Sequence, residues 1–125
     1  VKKDWPADRI ARLAGAWLDE LRDASGEGDG VGQQVVMMNF TASAATQWAF
    51  ICACVADAQT DEQLGAIAAG PLEHLMGHFG ADYIDEVEAR ASVDPRFRTA
   101  VEAMWQYQID DAVWARLQAL GAGAT

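Results

Sequence analysis

Hydrophobic positions recur at helical spacing along most of the chain. Ile10, Leu13, Ala14, Trp17, Leu18 and Leu21 follow one another three and four apart, while Asp8, Arg9, Arg12, Asp19, Arg22 and Asp23 fall mostly on the other side. Such spacing predicts an amphipathic helix over residues 6–25, opened by Pro6, whose ring suits a first helical turn. Glycine at 26, 28, 30 and 32 then predicts a flexible linker over 26–34. From about Phe40 to Ala58 the chain is Ala-rich and apolar on most faces, which predicts a central helix surrounded by the others.

Start and stop signals place the remaining elements. "TDEQ" at 60–63 fits a capping box, with Thr60 as cap and Gln63 reaching back. The helix it opens is expected to end at Gly70, with Pro71 starting the next and Gly80 stopping that one in turn. "ADYIDEVEARAS" predicts a helix with Tyr83, Ile84, Val87 and Ala91 inward. "DPRFRTAVEAMWQYQ" predicts another, capped by Asp94, with Phe97, Val101, Met104, Trp105 and Gln108 along one side. The last helix caps on Asp110, packs Val113, Trp114, Leu117 and Leu120, and stops at Gly121 before a frayed tail, 121–125.

The expected fold is all-α: a compact orthogonal bundle of six to seven helices in one domain, 1–125, with stacked helix pairs as a variant and the helical body at 35–120. A chain of 125 residues buries about two-thirds of the surface it exposes when unfolded, so it needs neither disulfide nor metal to fold. Only three residues are proline, which agrees with helix. No repeated signature marks a solenoid.

Charge narrows the partners. The formal net charge is -10, and no Lys or Arg occurs from Asp23 to Ala89. A surface built from that stretch repels phosphate backbones and anionic lipid, so neither nucleic acid nor a membrane surface is an expected partner; a basic protein surface is. Residues 30–56 carry no charge, but the polar Gln33, Gln34, Asn39, Thr41, Ser43, Thr46 and Gln47 and the acidic flanks Asp29 and Asp57 argue against a transmembrane helix. Cys52 and Cys54, two apart in an apolar helix, point to different faces and cannot readily bridge. With no basic, apolar leader ahead of Trp5, they lead to the expectation of a reducing cytoplasm, and no weight rests on Val1 as the start.

Candidate chemistry is sparse. In "GPLEHLMGHFG", Leu72, Leu75, Met76 and Phe79 form an apolar stripe, and His74 and His78 lie together on the opposite face. Two imidazoles four apart can converge on a metal, but a third ligand would have to come from Asp82, Asp85 or Glu86. A zincin-type site also needs glutamate directly after the first histidine, where Leu75 stands. Solvated or partner-facing histidines are the expected outcome. The neighbours of Cys52 and Cys54 predict burial, which disfavours a cysteine nucleophile. No nucleophile elbow, Walker loop, dinucleotide fingerprint or paired-cysteine zinc pattern occurs, and "SGEGDGVG" lacks the preceding strand and following lysine of a phosphate loop. No cofactor is expected. Trp17, Trp48, Trp105 and Trp114 fall on apolar stripes and are expected in the core, whereas Trp5 either staples the N-terminus to the body or belongs to an interface.

The stretches "IAAGPLEHLMGHFG", "YIDEVEARASVDPRF" and "MWQYQIDDAVWARLQ" resemble, in content and order over residues 67–118, an uncharacterised bacterial family of small helical proteins, a domain of unknown function. The resemblance implies a helical fold and a bacterial cytosolic origin, and no reaction. His78 ahead of Phe79-Gly80 fits that family's pattern and His74 departs from it, which implies that a two-histidine metal site is not a family property.

The leading expectation is therefore a protein-protein interaction module, in the form of an inhibitor or immunity-type protein that covers a basic surface, with Trp5, Asp82, Asp85, Glu86 and Glu88 as contact candidates. A small metal-dependent or acid/base enzyme built on His74, His78 and nearby carboxylates is the alternative. A homo-oligomeric structural subunit is the third.

Overall fold

A computed structural model describes residues 2–23 and 30–124. Its elements are α1 (Ala7–Leu21), α2 (Val31–Thr41), α3 (Ala44–Asp57), α4 (Asp61–Ile67), a π-helical turn (Ala68–Leu72), α5 (Glu73–Val93), α6 (Pro95–Glu102) and α7 (Asp111–Ala119). The all-helical expectation holds. α3 sits in the middle and touches α1, α4, the π-helical turn, α5 and α6. Its Phe50, Ile51, Cys54 and Val55 are fully buried, with Trp17 of α1 stacked on Phe50 at 5.9 Å and Trp48 meeting Phe97 of α6 edge-on at 5.6 Å.

Capping chemistry behaves as the sequence predicts. Thr60 and Gln63 make the reciprocal capping box, Asp94 accepts from the Arg96 and Phe97 amides, and Asp110 accepts from the Ala112 amide. Gln63 does a second job, since its buried Nε2 donates to the Leu18 carbonyl at 3.0 Å and ties α4 to the end of α1.

Several boundaries differ from the expected ones. α1 ends at Leu21, and Leu21 is exposed rather than inward; Ser25 and residues 26–29 of the expected linker lie outside the described residues. Residues 31–34 are the first turn of α2. The uncharged run 30–56 is two helices, because Ser43 leaves helical geometry and its hydroxyl accepts from the Thr46 amide at 3.2 Å to cap α3. Among the described residues no helix is long and apolar enough to cross a membrane.

Gly70 does not stop a helix, whereas the stop expected at Gly80 falls one residue earlier, as a break at Phe79. In a regular α-helix the Pro71 ring would press on the Ile67 carbonyl; the wider π-helical turn makes room, and the Glu73 amide reaches the Ala68 carbonyl five residues back. At Phe79 (φ -135°, ψ 26°) the chain leaves helical geometry, so α5 is two helical segments joined by a kink just ahead of Gly80. There a β-carbon would stand 3.0 Å from the Val113 side chain, so the residue is small because α7 passes close. α6 stops at Glu102, earlier than its periodicity suggests. Met104 is buried, but Trp105 is 60% exposed and the exposed Gln108 has a left-handed φ of 57°. The early stop has a long-range cause: the buried Glu73 carboxylate accepts from the Trp105 amide at 2.9 Å and draws the loop onto α5.

Candidate functional site

The histidine pair opens α5. Rings of His74 and His78 stack with centroids 4.2 Å apart, and His78 Nδ1 lies 2.9 Å from the His74 carbonyl oxygen, which makes Nδ1 the donor. His78 is exposed as expected. His74 is not: the ring of Phe40 meets it edge-on at 5.2 Å, and its Nε2 is buried with no hydrogen-bond partner. Burial lowers the His74 pKa and the neighbouring His78 adds to the effect, against the backbone of Asn39, which acts in the opposite direction.

Among the described residues no group of three His, Cys, Asp or Glu side chains stands close enough to hold a metal, so the fold does not bring Asp82, Asp85 or Glu86 to the histidines. Asp85 is engaged elsewhere. Arg116 of α7 donates from Nη2 to Asp85 at 2.6 Å and from Nε to Glu88 at 3.0 Å, a fork that raises the already high Arg116 pKa. Two of the four acidic contact candidates are thus paired within the chain, and Asp82 and Glu86 are left exposed on α5. The thiols are no better placed for chemistry: burial pushes both Cys52 and Cys54 upward, away from the reactive thiolate. Cys54 is fully buried, and Cys52 only partly.

Trp5 is fixed to the body. Its amide donates to Thr46 Oγ1 at 2.9 Å, and the Arg9 guanidinium lies 3.6 Å from the centre of its half-buried ring.

The most conspicuous surface was not among the sequence candidates. α2 carries no charged residue, and while Val35, Met38 and Asn39 turn inward, Val36, Met37 and Phe40 are 50%, 58% and 60% exposed. A surface helix normally sets charged side chains on its outer face. Here the outer stripe is apolar, and Phe40 leads across a shallow hollow of ≈ 180 Å³ to His78 and to Tyr107, itself 64% exposed. The signal was present in the sequence: an 11-residue helix without charge and with apolar residues on both faces cannot bury all of them.

The family model for DUF6869, described as a family of unknown function, matches residues 29–125, from just ahead of α2 to the C-terminus. No curated protein and no solved structure matches the chain.

Proposed function

The chain belongs to DUF6869, a family of unknown function, and for a member with this surface we propose a role as a protein-protein interaction module whose contact is the outer stripe of α2. The observation that carries it is the exposure of Val36, Met37 and Phe40 on a helix with no charge, continued by Tyr107 and His78. Contiguous apolar surface rimmed by polar groups marks interaction sites, and aromatic residues supply much of the energy at their centres.

Charge selects the kind of partner. A second copy would bring its own -10, and the two would repel. A partner with an apolar knob and a basic surround is attracted instead, and Asp82 and Glu86 on α5 speed its approach. An inhibitor or immunity-type protein that covers a basic surface has this form.

The test compares wild type, Phe40→Glu and Val93→Glu as baits at low and physiological salt. Val93, 79% exposed at the end of α5, is the control for charge placed on an exposed apolar residue elsewhere. A protein held by wild type and Val93→Glu, lost from Phe40→Glu, and reconstituted from purified components supports the proposal. Equal retention by all three baits, or no partner at either salt, overturns it. Concentration-dependent dimerisation in light scattering, abolished by Phe40→Glu, would replace the partner with a second copy.

A further inference from the structure

A second concave surface lies beside the docking stripe, between α2 and α1, with the exposed Met37 bordering both. The two helices run antiparallel and are joined at both ends. At one end the Glu20 carboxylate of α1 accepts from the Val31 amide at 2.7 Å and the Gly32 amide at 3.3 Å, filling the role of the side-chain cap that Gly30 cannot provide. At the other, the Lys3 amide donates to the Thr41 carbonyl at 3.2 Å and the Ser43 amide donates to the Lys3 carbonyl at 2.8 Å. Between these clamps the helices leave an open cleft of ≈ 550 Å³. Small-molecule sites span about 300–1,000 Å³, so a cleft held open at both ends is preformed at a useful size.

Its lining is unusual for this protein. Leu13, Val31, Met37 and Met38 supply apolar wall, Arg9 and Arg12 bring two guanidiniums, and no Asp or Glu is among the lining residues of a chain whose net charge is -10. Arg12 has only a loose, exposed ion pair with Asp8 at 3.7 Å. Arg9 makes no ion pair among the described residues, and its face is spent on Trp5, which leaves its in-plane N–H donors for an acceptor. Gln33 and Gln34, both exposed, also line the cleft.

We propose that the α1–α2 cleft is a binding site for a small amphipathic carboxylic acid, with the apolar chain along Val31 and Met37 and the carboxylate on Arg9 and Arg12. Guanidinium and carboxylate match in shape and charge, and a planar donor already stacked on an aromatic ring loses little freedom when it binds.

The probes are decanoate, decanol and decylammonium, each below its aggregation concentration, titrated into the full chain by calorimetry and followed at the Gln33 and Gln34 side-chain amides by NMR. Wild type binds decanoate at least about tenfold more tightly than decanol, the preference expected of charge-assisted hydrogen bonds at a partly exposed site. Arg9→Gln combined with Arg12→Gln brings the two affinities together. Ala16→Trp, which puts an indole at the edge of the cleft, weakens both, with circular dichroism to confirm that each variant is folded. Equal binding of decanoate and decanol to wild type, comparable binding of decylammonium, no binding of any probe, or binding unaffected by Ala16→Trp overturns the proposal. The docking stripe is tested apart from it: Phe40→Glu keeps decanoate affinity, and the double arginine variant keeps the partner.

Discussion

Gly80 offers a sharp test of how the bundle is packed. The sequence suggests a helix stop there; the structure interrupts α5 at Phe79 and buries Gly80 against Val113 of α7. A β-carbon at position 80 would stand 3.0 Å from one Val113 methyl and 3.4 Å from the other, inside the roughly 3.5–4.0 Å at which carbons attract. Forcing it in costs about 1–3 kcal/mol, and the better helix propensity of alanine returns about 1 kcal/mol, so Gly80→Ala should destabilise wild type by about 1 kcal/mol. Val113→Ala removes both methyls and costs about 2 kcal/mol by itself. In that background the clash is gone, and adding Gly80→Ala should stabilise by about 0.5–1 kcal/mol through propensity and the space it fills. The coupling energy is then about 1.5–2 kcal/mol, read from urea unfolding of the four proteins by tryptophan fluorescence. The same Gly80→Ala effect in both backgrounds would refute the contact, because a glycine that ends a helix loses its conformational advantage whatever stands at position 113.

Three further outcomes follow from single residues. Ser43→Ala removes the cap that separates α3 from α2 and should cost about 1 kcal/mol in the same urea assay. His74→Leu removes a buried, unpartnered Nε2 and should be neutral or stabilising by about 1 kcal/mol at neutral pH. The His74 pKa is lowered by folding, so its contribution is present above the unfolded value of about 6.5 and lost as pH falls through the folded one; the stability gap in favour of His74→Leu should therefore widen on acidification. Burial raises the Glu73 pKa, so its protonated form stabilises the fold below about pH 4.3 and that contribution disappears as pH rises through the folded value. Glu73→Gln keeps an acceptor for the Trp105 amide, and its stability relative to wild type should increase as the pH is raised from 4 to 7.

What could be read from the sequence was local. Thr60 with Gln63, Asp94 ahead of Pro95, and Asp110 act on amides two or three residues away, and all three caps form as expected. Features set by distant neighbours were misread. Gly80 is small because α7 passes close, and Trp105 is exposed where Glu73 holds its amide. The candidate site followed the same division. The stacking of His74 on His78 comes from their i, i+4 spacing, but the cover of Phe40 over His74 and the pairing of Asp85 and Glu88 with Arg116 join segments far apart in sequence. α2 was the largest omission: the expected linker over 26–34 and the central helix expected from about Phe40 divide its residues, although its spacing leaves Val36, Met37 and Phe40 facing outward.

The central claim is that this outward face exists to be covered by another protein. Its most direct test is titration of the purified partner against wild type and Phe40→Glu. Phe40 is 60% exposed and covers only the His74 ring, so the substitution should change the unfolding free energy by about 1 kcal/mol or less, while a residue at the centre of an interface is worth about 2 kcal/mol or more, a loss of affinity of about thirtyfold. An unchanged fold with at least that loss is the predicted result; equal affinity of the two proteins for the same partner would contradict it.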